Sequence, residues 1–261
     1  MAEELLTVES LSKSFAGVRA LDGYTLRLPP LAIHGVIGPN GAGKTTLFNL
    51  LTGFVKPTAG TIRMRGREIT RLPAYRVARL GMARTFQNIR LFGQLSVIDN
   101  VKTALQSQAP QSLPSTLFSA PAFLRREREL EQRAAALLQR VGLAGRQNQI
   151  ARNLPYGDQR KLEIARAVAL NPGILLLDEP NAGMNPSETA ELLGLIRRLR
   201  DEMKITIIMV AHDIPLVMNL CDRIQVLNYG RLIAEGDPVF VRTNPDVIAA
   251  YLGQATEPGR A

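Results

Sequence analysis

The 261-residue sequence holds one cysteine, Cys221, so no disulfide can form within the chain. A disulfide-stapled scaffold is thereby excluded, the cytosol is the default compartment, and Cys221 reads as a small buried hydrophobe. Long apolar runs are also missing. The longest, Ile174–Leu177 and Ile205–Val210, have the length of strands and fall far short of a membrane span. Met1–Val8 carries two glutamates and no basic residue, which is not the pattern of a secretory signal. Neither internal repeats nor heptads are present. Acidic residues are scarce in one segment: between Arg63 and Arg90 eight arginines (63, 65, 67, 71, 76, 79, 84 and 90) face Glu68 alone, and the whole chain has a formal charge of +9. A solvated face is one reading of that excess and a surface near anionic lipid headgroups the other. Nucleic acid ranks third, because no recognised nucleic-acid motif accompanies the arginines.

What is present, 46% hydrophobic and 21% charged residues, suits one large globular domain or a domain with an embedded subdomain. Short strands are expected at Leu5–Val8 and Tyr24–Leu28, a buried strand at 33–37, a helix from Lys44 to about Leu51, and a strand and turn over 60–69. From about Asn88 to Gln159 helical patterns dominate. Within that stretch Gln106–Pro121, rich in Pro, Ser and Gln, reads as a loop or mobile insertion. Residues 123–141 follow as an amphipathic helix with Leu130, Leu137, Leu138 and Val141 on its apolar side. Strands return at 174–177 and 205–210. Between them a helix opens on Asn185 as N-cap, Pro186 at the first helical position and Glu188 completing a capping box, with an apolar stripe of Leu192, Leu193, Ile196, Leu199 and Met203. A short helix near 214–220, a hairpin over 222–233 turning at Asn228-Tyr229-Gly230, a helix near 245–252 and a polar tail from Gln254 complete the chain. Strands alternating with helices indicate an α/β fold with a largely parallel sheet.

Two motifs carry chemistry. Gly38, Pro39, Asn40, Gly41, Ala42, Gly43, Lys44 and Thr45 fit the pattern G-x-x-x-x-G-K-[ST], between an expected strand and an expected helix. Glycines let the backbone curl so that N–H groups converge on phosphate oxygens, and the helix that follows points its positive end at the same anion. In such a loop Lys44 reaches the β- and γ-phosphates, the Thr45 hydroxyl joins a Mg²⁺ shell, and Thr46 can donate to a phosphate. Further on, the apolar run Ile174–Leu177 ends in Asp178 and Glu179. A rigid strand tip can hold Asp178 as a Mg²⁺ partner, while Glu179 polarises an attacking water.

Further segments carry a family resemblance. Gln87, in Arg84-Thr-Phe-Gln-Asn, resembles a glutamine loop that touches Mg²⁺ and water. Leu154-Pro-Tyr-Gly-Asp-Gln-Arg resembles a signature motif, Asn181-Ala-Gly-Met-Asn185 a D-loop, and His212 a switch histidine at the γ-phosphate. Phe15 stands where an aromatic stacks on adenine. In that order they resemble an ATP-binding cassette over nearly the whole chain. The Leu-Pro-Tyr-Gly-Asp-Gln-Arg and Ala-Gly-Met-Asn-Pro segments, the insertion around 106–130 and the ending Asn244–Gly253 resemble the ATPase subunits of branched-chain amino-acid importers, of the LivG type. Ranked behind that reading are a urea or amide importer, a lipid or polysaccharide exporter, and a soluble ribosome- or nucleic-acid-associated cassette protein.

The resemblance implies a P-loop NTPase (RecA-like) core over about 1–87 and 163–253, with an N-terminal antiparallel β subdomain. It implies an inserted helical subdomain over about 88–162 and a disordered tail at 254–261. It also implies ATP and Mg²⁺ as ligands, with Glu179, His212 and Gln87 catalytic and Thr45, Gln87 and Asp178 around the metal. Tyr156, Gly157 and Asp158 would serve the nucleotide of a second ATPase subunit. The implied partners are that subunit (a sister or a second copy), two transmembrane permeases and, indirectly, a solute-binding protein, with no nucleic acid. The implied location is the cytoplasmic face of the membrane, peripherally bound. One departure stands out: Pro155 and Tyr156 replace the Ser and first Gly of the family's usual Leu-Ser-Gly-Gly-Gln, which removes a hydroxyl donor.

Overall fold

The structure, a computed structural model, describes residues 4–107, 120–211 and 214–252, without the side chains of 120–123 and 252. Most of the expected insertion loop, the polar tail and His212 lie outside the described residues. The chain divides into two compact units, one made of Met1–Arg84, Gly173–Pro180 and Ile196–Ala261, the other of Thr85–Pro172 and Asn181–Leu195.

The first unit contains two sheets. One is antiparallel, built from β1 (Leu6–Phe15), β2 (Val18–Leu28), β4 (Ala59–Met64) and β5 (Arg67–Glu68) in the order β2-β1-β4-β5. The other has six strands in the order β10-β9-β3-β8-β7-β6. Its members are β3 (Ile33–Ile37), β6 (Met82–Arg84), β7 (Ile174–Asp178), β8 (Thr206–Val210), β9 (Arg223–Asn228) and β10 (Arg231–Gly236). All run parallel except β10, which returns antiparallel to β9 through Tyr229-Gly230. Both turn residues have positive φ, 46° and 78°, the geometry a two-residue hairpin needs to match strand twist.

Every residue of β3, β7 and β8 is buried, which explains why their sequences are mostly apolar and do not alternate: a parallel sheet covered on both faces has no solvent side to alternate toward. Helix α1 (Lys44–Leu51) buries Leu47, Phe48, Leu50 and Leu51 in a core shared by Leu6, Val8 and Leu26 of the antiparallel sheet and Val36, Leu176 and Ile208 of the parallel one. Cys221 is buried behind β3, where a Cβ on Gly35 would lie 2.9 Å from its sulfur, and burial raises its thiol pKa.

The second unit is helical. Helix α3 (Val97–Gln106) starts on Ser96, whose hydroxyl accepts from the Asp99 amide, and follows α2 (Ala74–Arg79) of the first unit. The side chain of Asn100, fully buried, bonds Phe92 at both its N–H and its C=O and so orders the chain leading into α3. The amphipathic helix is α4 (Ala120–Arg140), with Leu130, Ala134 and Leu138 on its buried face. Next comes α5 (Tyr156–Val168). Helix α6 (Pro186–Asp201) begins in this unit and ends in the first. Its capping box forms as expected: Asn185 Oδ1 accepts from the Glu188 amide at 2.9 Å and Glu188 Oε2 accepts from the Asn185 amide at 3.0 Å. The remaining helices, α7 (Ile214–Leu220), α8 (Pro238–Thr243) and α9 (Pro245–Leu252), belong to the first unit.

Three elements depart from expectation. Strands β1 and β2 are roughly twice as long as their apolar cores suggest, because irregular pairing near Leu11 and Lys13 lets half-polar sequence stay in the ladder. Strand β6 was not expected at all. Three residues long, it owes its extension to pairing with Ile174–Leu176 of β7. The stripe of α6 turns on Leu192, Leu195, Ile196 and Leu199, with Leu193 only half buried.

Candidate nucleotide site

The phosphate loop joins the end of β3 to the start of α1. Its tight course has two backbone causes. A Cβ on Gly38 would lie 2.1 Å from the Leu227 carbonyl oxygen of β9, and Gly43, at φ 103°, would bring one to 2.5 Å from the Ala20 carbonyl. Only glycine fits either position. Lys44 is 6% exposed, and its ammonium donates to the Gly38 and Pro39 carbonyls at 2.6 and 2.8 Å, folding back across its own loop. Burial lowers its pKa, and the negative charges of Glu179 and Asp178 oppose that shift. The ammonium therefore lies in the field of both carboxylates. Ala42 is buried beneath the loop while Asn40 and Gly41 are exposed; Thr45 is exposed and Thr46 half buried on the first turn of α1. Phe15 ends β1 with its ring 45% exposed and Lys13 Nζ 4.8 Å from its centroid.

The two acids stand at the corresponding edge of the sheet. Asp178 of β7 is level with Val210 of β8, and Val210 is level with Val36 of β3. The loop and the acids are thus the C-terminal ends of strands two apart, separated by about 10 Å at ladder spacing. That is the crevice where open parallel sheets bind ligands. Glu179 lies one step beyond the ladder in a left-handed conformation, φ 46°, with its amide bonded to the Val210 carbonyl at 2.8 Å. For a glutamate this backbone is strained, and the bond to β8 holds it there.

The sequence reading missed one participant. Arg84, at the end of β6, is among the eight arginines of the basic segment, yet its side chain is only 5% exposed. Its guanidinium donates to Asp178 Oδ2 at 2.7 Å and to Asn49 Oδ1 of α1 at 2.7 Å, and it packs 5.4 Å from the Phe48 ring. The other seven are exposed. The available signal was position: Arg84 follows Gly81-Met82-Ala83, a small apolar run, whereas its neighbours lie in polar surroundings.

Gln87, Tyr156, Gly157 and Asp158 belong to the second unit. Gln87 is exposed, and its carbonyl accepts from Arg160 at 2.6 Å. Tyr156 and Gly157 open α5, with Tyr156 42% exposed and Asp158 in the first turn. The Asp158 carboxylate faces Arg146 at 3.0 Å and Lys161 at 3.4 Å. A Cβ on Gly157 would lie 2.8 Å from the Glu188 carboxylate, so a larger residue there would push that side chain aside.

Residues 21–182 match the family described as ABC transporter, and residues 231–257 match that described as branched-chain amino acid ATP-binding cassette transporter. The chain is 50% identical over 255 residues to the high-affinity branched-chain amino acid transport ATP-binding protein LivG of Salmonella typhimurium, covering 98% of this chain and 100% of that one. It is 46% identical over the same span to BraF of Pseudomonas aeruginosa, with equal coverage. The ADP conformation of an ATP-binding cassette from an ABC transporter superposes with a TM-score of 0.84 at 29% identity, covering 96% of this chain and 99% of the other. A phosphate loop facing two acids across one strand is what a nucleotide hydrolase requires, and with similarity of this extent the chain belongs to the ABC transporter family, as one of its ATPases.

Proposed function

We propose that this chain energises the import of branched-chain amino acids. In this reading it sits peripherally on the cytoplasmic face of the membrane, pairs with a second cassette and drives two permease subunits supplied by a solute-binding protein. The observation that carries it is the similarity over 98% of the chain to proteins named as branched-chain amino acid transport ATP-binding proteins, joined to the separate match of residues 231–257 to the branched-chain type.

The residues have distinct tasks in this mechanism. Backbone N–H groups of Gly38–Thr46 hold the phosphates, and Lys44 exchanges its two loop carbonyls for β- and γ-phosphate oxygens. Phe15 offers its exposed ring to the adenine. Thr45 and Asp178 are hard oxygen donors and would suit Mg²⁺. Bound there, Mg²⁺ would supply neutralisation of phosphate charge. Glu179 orients the water and takes its proton, assisted by Gln87 and His212. Tyr156, Gly157 and Asp158 serve the partner's nucleotide through the amides at the start of α5.

Glu179→Gln should leave ATP affinity intact and lower turnover by about 10² to 10⁴, the usual contribution of a general base. Lys44→Ala should instead weaken nucleotide binding itself. Retained turnover in the first variant, or normal binding in the second, would remove these assignments. For the solute, uptake of radiolabelled leucine by vesicles carrying the assembled transporter is the direct measurement; uptake of urea or a short amide in its place would redirect the substrate class.

A further inference from the structure

The bulkiest side chain among those fully buried is an arginine. Arg160, 1% exposed, lies one turn into α5, and its guanidinium joins the Phe86-Gln87 segment to two other residues of its own helix. One guanidinium nitrogen donates to the Phe86 carbonyl at 2.6 Å and to Glu163 Oε2 at 2.9 Å. The other donates to the Gln87 carbonyl at 2.6 Å and to the Tyr156 hydroxyl at 3.2 Å. Glu163 completes the clamp by accepting from the Phe86 amide through its second oxygen, at 3.2 Å. Tyr156 extends it further, since a Cβ on Gly183 would touch its ring at 3.4 Å.

We infer that Arg160 is a positioning residue that couples the Gln87 segment to Tyr156 and Gly157, and through the Tyr156 ring to Asn181–Asn185. The inference rests on the functional reading above, in which Gln87 attends the chain's own nucleotide and Tyr156-Gly157 attends the partner's. Two features argue for geometry over bulk stability. A buried ion pair contributes little net stability compared with apolar groups of equal size, but it fixes orientation. In addition, two of the four bonds go to main-chain carbonyls of an irregular segment, whose course is then dictated by a side chain of α5. The planar guanidinium fixes the directions of its bonds to both carbonyls, which the rotatable donors of an ammonium on a flexible stem do not. Tyr156, the residue that departs from the family's usual motif, supplies an acceptor that glycine lacks. A shift of Phe86–Gln87 on nucleotide binding is therefore passed to the residues offered to the partner, and the two ATP sites become linked.

The test uses the full chain. ATP-driven association is followed by sedimentation in a Glu179→Gln background, and steady-state ATPase is measured against ATP concentration otherwise. Arg160→Lys keeps the charge and loses the fork. It should lower kcat about tenfold, the size of a modest site–site coupling, move the Hill coefficient from near 2 toward 1, and leave the nucleotide affinity of the isolated chain within about twofold. Tyr156→Phe removes one partly exposed hydroxyl and keeps the ring on Gly183; it should lower kcat about threefold with KM unchanged. Combined, the two should do no more than Arg160→Lys alone, because both break one connection. Kept cooperativity in Arg160→Lys, or effects that multiply in the double variant, would overturn the inference. If the chain with Arg160 intact shows no ATP-driven association, pairing with a second copy fails, and the coupling between two such copies fails with it.

Discussion

Replacing Arg84 with methionine isolates the energetics of the site's one unforeseen contact. The methionine stem retains packing against Phe48, so the change removes mainly the guanidinium and its bonds to Asp178 and Asn49, both 2.7 Å. Asp178 is 6% exposed on its side chain and would keep its carboxylate in place without that ion pair. Breaking one partner of a buried pair costs about 3–5 kcal/mol, most of it the penalty of the charge left behind. For a chain of this size that lowers the melting temperature by on the order of 10 °C. Urea denaturation followed by circular dichroism, without nucleotide, measures the loss. A second variant assigns the cause: adding Asp178→Asn removes the carboxylate charge and should recover about 2 kcal/mol, although it abolishes metal support. A loss under about 1 kcal/mol for Arg84→Met, or strict additivity in the double variant, would refute the view that Arg84 holds Asp178 by charge.

Other outcomes follow from single features. His34 is 2% exposed, and burial pushes its pKa down to about 4; Gln225, Glu235 and Asp222 oppose the shift while Arg223 adds to it. The unfolded chain protonates His34 near pH 6.5, so its contribution is complete above that pH and is lost as pH falls toward 4. The loss is about 3 kcal/mol, and His34→Gln should flatten that part of the stability–pH curve. Gly38→Ala drives a Cβ into the Leu227 carbonyl and should weaken ATP binding at least about tenfold, more than Gly41→Ala, where a Cβ meets nothing within 4 Å; nucleotide titrations of the two compare them. Pro155 is the N-cap of α5 and makes no side-chain cap bond, so Pro155→Ser should add a cap worth roughly 1 kcal/mol and raise ATPase activity in the assembled pair. Unchanged or lower activity would count against the view that the missing hydroxyl limits closure.

How much was legible in the sequence depended on whether the cause was local. The phosphate loop, the Asn185–Glu188 capping box and the Tyr229-Gly230 turn each declare themselves within a few residues, because the residue types that mark each pattern lie close together in sequence. Helix α4 was legible as an amphipathic pattern, but Ala134 was missed from its face because alanine carries little hydrophobic signal. Strand β6 and the role of Arg84 could not be read locally. Arg84 meets Asp178 across 94 positions of sequence, and nothing near either residue records the other. The basic segment shows the reverse error: counting charge along the chain grouped a buried site arginine with seven exposed ones.

Strand β8 contributes no side chain to the proposed chemistry, yet it stands between the strand that feeds the loop and the strand that ends in the acids. The width of the gap is therefore gauged by two rows of peptide hydrogen bonds, and amides are common to every sequence. Thr206–Val210 can drift among residues of similar bulk without retuning the distance the reaction depends on, much as a ruler keeps its length when repainted. Substitutions in β8 that preserve its packing would leave the interval between phosphate loop and carboxylates where the two ladders set it.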